Sequence, residues 1–214
     1  MTWALKQALA TASAAVHAAG LCPGRSGNIS VRTREGLLVT PTGASLGSLS
    51  AGDIVELEAD GSPQGHRGKV RTSEWRLHCD VYAARADVGA IVHTHSRFAT
   101  VFSCLRQPLR AVHYMIAVAG TSTIPVADYA TYGTQELSVA ALKALGTGKA
   151  CLLANHGLVA LGVDLDEAVR VALELENLAA LEWHSRAIGS PVVLDEVEVR
   201  TVVEKFGSYG KKSP

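Results

Sequence analysis

Residues 89–95 read Gly-Ala-Ile-Val-His-Thr-His, and residues 149–162 read Lys-Ala-Cys-Leu-Leu-Ala-Asn-His-Gly-Leu-Val-Ala-Leu-Gly. The first is a short apolar run of strand length rather than helix length, and the second is apolar on both sides of Asn155–Gly157. The first is expected to be a strand ending in histidines, and the second a strand that breaks at Asn155–Gly157 and resumes. Upstream, NISVRT (28–33) and GLLVT (36–40) read as strands around a turn at Arg34–Gly36, and DIVELEAD (53–60) as a third. Helical patterns cover residues 3–19, stopped by Gly20 with Pro23 beyond, and run from Ser73 to about Arg85 and over Arg97–Leu105. STIPVAD (122–128) reads as a strand, followed by a helix from near Thr134 to Gly146. Asp164 suits the N-cap of the longest helix, to about Ile188, with Glu167 placed as in a capping box. A last helix covers roughly Asp195–Phe206. Early hairpins with helices interspersed imply an α/β (α+β-like) layered domain. No GxGxxG follows a first strand, which argues against a doubly wound dinucleotide fold.

Composition narrows the function classes. Of 214 residues, 48% are hydrophobic and 19% charged, enough for a core and incompatible with disorder or collagen. Twenty basic residues balance twenty acidic ones and aromatics are 5%, so neither phosphate neutralisation nor base stacking is favoured and no nucleic-acid partner is expected. No uninterrupted apolar run could span a bilayer, and the alanine-rich start lacks the basic region of a targeting peptide. Four cysteines stand singly, without CxxC spacing. Cys79, Cys104 and Cys151 read as small buried residues of a reducing, cytoplasmic protein. With no linker, charge block or repeat, residues 1–214 are expected to form one domain.

Eight histidines carry the chemistry. His93 and His95 are two apart on a strand, so their imidazoles share a face and can converge on one ion. An ordinary polar strand end would look the same. His156 sits in Asn-His-Gly within an apolar strand, where an imidazole needs a partner or a function. Glu74, at the start of a helix, is the fourth candidate; three histidines and a carboxylate make a four-ligand zinc shell. Ser26-Gly27-Asn28, Thr42-Gly43 and Thr72-Ser73 have the character of an anion site, the last beside a helix N-terminus. Each taken singly is equally an ordinary turn or cap. His17, His66, His78 and His184 lie on helices or turns and are assigned no chemistry.

In order along the chain, Gly27–Arg32, Thr40–Gly43, Ser73–His78, His93–His95, HYMIAVAG (113–120), ATYGTQELS (130–138), Asn155–Leu158 and Glu204–Gly210 together resemble the class II aldolase/epimerase family, above all its L-fuculose-1-phosphate aldolase branch. The resemblance runs from near residue 1 to about 210. It implies a central, mostly antiparallel sheet flanked by helices. It further implies Zn2+, or another divalent ion such as Co2+ or Mn2+, on Glu74, His93, His95 and His156. Arg25, Asn28, Thr42, Gly43, Thr72 and Ser73 would hold a substrate phosphate. Glu74, Tyr114 and Tyr209 would be catalytic, the tyrosines acting at an interface between subunits of a four-fold homotetramer with shared sites. The tail from about residue 207 would be mobile. Arg25 and Tyr132 depart from the family pattern, the latter near the aldehyde end of the pocket.

The implied reaction is cleavage of a ketose 1-phosphate, L-fuculose 1-phosphate or a 5-deoxy- or 5-methylthio-ribulose 1-phosphate, to dihydroxyacetone phosphate and an aldehyde. Rival readings are a 4-epimerase, a decarboxylase or dehydratase of a sugar-acid phosphate, and a non-catalytic adducin-like module. HYMIAVAG and the tail tyrosine favour the aldolase, and the filled ligand positions disfavour the module.

Overall fold

Alternation within β4 (Ala90–Thr94) sets the layering. Ala90 and Val92 face one apolar cluster and Ile91 the other, so the strand is covered on both sides. The computed structural model describes residues 2–65 and 68–208. Around β4 lie β1 (Asn28–Arg32), β2 (Gly36–Val39), β3 (Val55–Glu58), β7 (Val126–Ala127), β8 (Ala150–Leu153) and β9 (Gly157–Gly162). The sheet order is β3-β2-β1-β4-β9-β8-β7. Every neighbouring pair is antiparallel except β7 with β8. This is the mostly antiparallel, helix-flanked sheet expected from the sequence.

Helices α1 (Thr2–Ala18), α3 (Arg97–Leu105), α5 (Leu165–Ile188) and α6 (Glu196–Ser208) share the core cluster of one face. Helices α2 (Trp75–Ala84) and α4 (Gln135–Leu145) cover the other. Their ends follow local chemistry: the Thr134 hydroxyl accepts from the Leu137 N–H at the start of α4, and Gly146 ends it. The Asp164 carboxylate likewise accepts from the Glu167 N–H. The expected capping box is only half made, because Glu167 reaches Val163 N–H and Lys149 instead of the Asp164 N–H. Among the described residues, no helix is long and apolar enough to cross a membrane.

The strand expected over residues 149–162 breaks between β8 and β9, and the two fold back there as an antiparallel hairpin around Asn155, which adopts φ +54°. Four expectations need correction. STIPVAD splits at Pro125, which has no N–H for a ladder, into β6 (Thr123–Ile124) and β7. β6 pairs instead with β5 (Leu109–Arg110) in a separate two-stranded sheet. HYMIAVAG, read from the sequence as a strand with His113 and Tyr114 on opposite faces, is instead a 3-10 helix over Tyr114–Ala119, started by the His113 ring accepting from the Met115 N–H. Cys104 is exposed, whereas Cys22 is buried along with Cys79 and Cys151.

The fourth concerns α5: in the sequence Leu173, Leu175, Leu178 and Leu181 read as a packing face beside Glu174, Glu176 and Glu182 on a solvated or inter-subunit face. Leu175 and Leu178 are buried but Leu173 and Leu181 are 40% exposed. Glu182 is fully buried, accepting from the Arg110 N–H and Nε and from Arg186. Glu176 accepts from the N–H groups of Phe98 and Ala99 and so caps α3, where the Ser96 side chain makes no cap bond.

Candidate active site

The register of β1 on β4 places Asn28 opposite His93, and that of β4 on β9 places His93 opposite Val159. His95 follows two residues on, past the strand end, and the β8–β9 turn delivers His156. A side chain at Gly157 would run into the Thr94 carbonyl, so only glycine lets the turn lie this close to β4. A Cβ at Gly27 would likewise strike Cys22 Sγ and come within 2.7 Å of the His93 carbonyl oxygen. Glycine on both flanks thus lets the backbone close around the histidines.

Three imidazoles meet with ring centroids 4.8–4.9 Å apart. His93 Nδ1 donates to the Leu158 carbonyl at 3.0 Å, which turns the Nε2 lone pair toward the others. His93 Nε2 lies 3.0 Å from His95 Nε2 and 3.2 Å from Glu74 Oε2, and His156 Nε2 lies 3.4 Å from Glu74 Oε1. Two ligands at tetrahedral zinc distances are about 3.3 Å apart, so these edges suit one ion. Glu74 Oε1 is buried without a hydrogen-bond partner, the state expected of a ligand atom. The donor set therefore fits a divalent metal.

Electrostatics agree with that fit. Burial alone would raise the Glu74 pKa, but the charges of His93 and His156 and hydrogen bonds from His93 and Asn28 hold it well below the carboxylate range. Burial, and then the neighbouring imidazoles, push His95 down to about 3. Burial and His93 push His156 down to about 4. Both are neutral near pH 7, with lone pairs available. For His93 burial acts downward, yet the Glu74 carboxylate and the Leu158 carbonyl raise it.

A cavity of about 300 Å3 opens beside the cluster. An isolated bridge between Pro41 and Arg71, with the Thr42 N–H donating to the Val70 carbonyl, ties the Thr42–Gly43 turn to the Thr72–Ser73 loop. Arg25, Asn28, Thr42, Gly43, Thr72 and Ser73 all line this cavity, as do Glu74, His95 and His156. Tyr132 lines its rim and is 65% exposed. The structure thus brings the anion-suited loops and the histidine cluster into one space.

Tyr114 is elsewhere: it starts the 3-10 helix, is 47% exposed, and lies outside the described lining of the cavity. Tyr209 and His66 lie outside the described residues. Sequence reasoning missed Tyr129 and Asn155, which also line the cavity, although Asn155 adjoins His156 and Tyr129 lies three residues before Tyr132. It also missed His78, which is fully buried and hydrogen-bonded to Asn28 and Ser30. The signal was its position one helical turn after Glu74.

Residues 7–183 match the model of the class II aldolase and adducin N-terminal domain family. The 5-methylthioribulose-1-phosphate/5-deoxyribulose-1-phosphate aldolase of Rhodospirillum rubrum is 46% identical over 97% of this chain and 93% of its own length. The L-fuculose phosphate aldolase of Escherichia coli K12 is 45% identical over 89% of this chain and 88% of its own. A solved L-fuculose 1-phosphate aldolase superposes with a TM-score of 0.91 at 39% identity, covering 94% of this chain and 95% of that one. The chain therefore belongs to the class II aldolase and adducin N-terminal domain family, as a lyase of its aldolase branch.

Proposed function

We propose that the chain is a zinc-dependent aldolase that cleaves a ketose 1-phosphate to dihydroxyacetone phosphate and an aldehyde. One observation carries this reading: a single cavity joins His95, His156 and the buried Glu74, with His93 clustered against them, to three loops suited to an anion. Glu74, His93, His95 and His156 would hold the ion, which when bound supplies Lewis acidity toward the oxygens of the substrate. Asn28, Thr42, Gly43, Thr72 and Ser73 bind the phosphate, with Arg25 adding a charged contact in place of a small hydroxyl residue. Glu74, once substrate releases it from the ion, would move the proton at C3, while Asn28 steadies Oε2.

When the C3–C4 bond breaks, the proton on the C4 oxygen must leave as that carbon becomes the aldehyde. Tyr114 takes this proton at its phenolic oxygen as its own proton passes to solvent, and Tyr209 orients the group. Tyr114 cannot do so from its own cavity wall, so the reading requires a homo-oligomer, taken as a C4 tetramer, in which a neighbour supplies it. Its 47% exposure, at the start of a 3-10 helix whose residues 116–119 are buried, supports that arrangement. Tyr132 and Tyr129 at the rim face the aldehyde half and set its size.

A panel of L-fuculose 1-phosphate, 5-deoxyribulose 1-phosphate and 5-methylthioribulose 1-phosphate tests the reaction. Dihydroxyacetone phosphate should be released from at least one. An epimerised ester or carbon dioxide as the product would replace this reading with epimerase or decarboxylase chemistry. Mixing inactive Tyr114→Phe and His93→Ala proteins should regenerate activity, since some mixed interfaces hold one intact site. No regeneration after verified subunit exchange would end the shared-site proposal.

A further inference from the structure

Glu74, His78 and Tyr82 stand four residues apart along α2, and Asn28 and Ser30 stand two apart on β1. Each set lies on one face of its element, and the two rows interdigitate where α2 crosses the strand. Tyr82 Oη is 2.8 Å from Ser30 Oγ, and Ser30 Oγ is 2.6 Å from His78 Nδ1. His78 Nε2 is 2.5 Å from Asn28 Oδ1, and Asn28 Nδ2 donates to Glu74 Oε2 at 2.8 Å. None of the five is more than 6% exposed.

The last acceptor fixes the direction of every bond in the row. A carboxylate oxygen accepts, so Asn28 turns its amide nitrogen to Glu74 and its carbonyl to His78. His78 Nε2 must then carry the hydrogen, which leaves Nδ1 of the neutral ring as an acceptor. Ser30 donates to Nδ1, and its oxygen in turn accepts from the Tyr82 hydroxyl. An amide neither gains nor loses a proton, so the row cannot conduct one to Glu74. Its capacity is to orient.

We infer that His78 is a positioning residue: its Nε2–H locks the Asn28 amide so that one N–H holds Glu74 Oε2 and the other faces the anion-suited cavity. Without that donor the amide is free to turn over, setting Oδ1 against the carboxylate and against any anion in the cavity. The cavity half of this inference rests on the proposed phosphate role of Asn28. The half that concerns His78 and Glu74 does not.

Nitrogen-15 NMR of the imidazoles in the unaltered protein should show His78 as the Nε2–H tautomer; the Nδ1–H tautomer would overturn the inference. Affinity for inorganic phosphate supplies a readout that packing alone would not order. His78→Gln keeps an N–H donor near Nε2 and should bind phosphate within about threefold of wild type, whereas His78→Leu should weaken it about tenfold. His78→Met serves if the leucine variant does not fold. Equal weakening in the glutamine and apolar variants, or none in either, would overturn the inference. Turnover is not among these readouts, so a wrong reaction assignment would show in the substrate panel while the tautomer and the phosphate ratios still decide the role of His78.

Discussion

Both faces of the central sheet carry an apolar cluster, but where β1 and β4 meet the start of α2 one of them exchanges hydrocarbon for polar side chains. Toward α1, α3 and α5, β1 and β4 contribute Ile29, Val31, Ala90 and Val92, and the layer is hydrocarbon. One residue out of step, the same strands turn Asn28, Ser30 and His93 toward α2, and that part of the layer is a row of hydrogen bonds ending at Glu74. A period of two lets each strand serve both purposes. Hydrocarbon can be exchanged at constant volume for modest cost. Each member of the polar row is satisfied by one particular neighbour, so its identity matters more than its size. The apolar face should therefore govern stability, and the polar face metal binding and chemistry.

The largest expected effect lies on the polar face. His93→Ala removes the buried ligand that faces Glu74 and should lower metal affinity about a thousandfold, read by competition with a chelating dye. Folding by circular dichroism should persist; an unchanged metal affinity would break the distinction between the faces. On the apolar face, Leu175→Ala should cost about 3 kcal/mol in urea unfolding and leave metal stoichiometry intact. Loss of metal without loss of stability would reverse the assignment.

Acid should reveal the polar face next. Folded His78, His95 and His156 stand at about 3, 3 and 4, below the ordinary histidine value of 6.5, first because of burial. The unfolded chain then binds more protons below pH 6.5, so metal-free protein loses stability as pH falls from 6.5 toward 4. Each such proton gives a slope of about 1.4 kcal/mol per pH unit. His93, raised, contributes the opposite way: its stabilisation is present below 6.5 and lost as pH rises through its folded value. Urea midpoints of stripped protein at pH 7, 6 and 5 should fall in that order, and a flat series would contradict the neutral cluster. The smallest effect belongs to the rim: Tyr132→Phe should change KM by less than about threefold, because the side chain is 65% exposed.

What the sequence disclosed follows the same division. His93 and His95 were legible because period-two alternation is local, and His156 because a histidine in an apolar run followed by glycine is out of place. The strands and helices that carry the apolar faces were legible for the same reason. Local pattern could not say which helix crosses which strand. His78 and Ser30 therefore looked idle, although each sits at the right spacing from Glu74 and Asn28. Glu182 read as a surface acid because its partner Arg110 is 72 residues away and meets it only through the fold. HYMIAVAG has the composition of a strand, but the His113 cap diverts it into a 3-10 turn.

In the proposed function, metal bound at Glu74, His93, His95 and His156 makes the cavity an aldolase site. The most direct test is release of dihydroxyacetone phosphate from the preferred ketose 1-phosphate by chelator-stripped protein as zinc is added back. Activity should rise from background and saturate at one zinc per chain. Full activity in verified metal-free protein, or no activity at full zinc occupancy with every ketose 1-phosphate of the panel, would contradict the account.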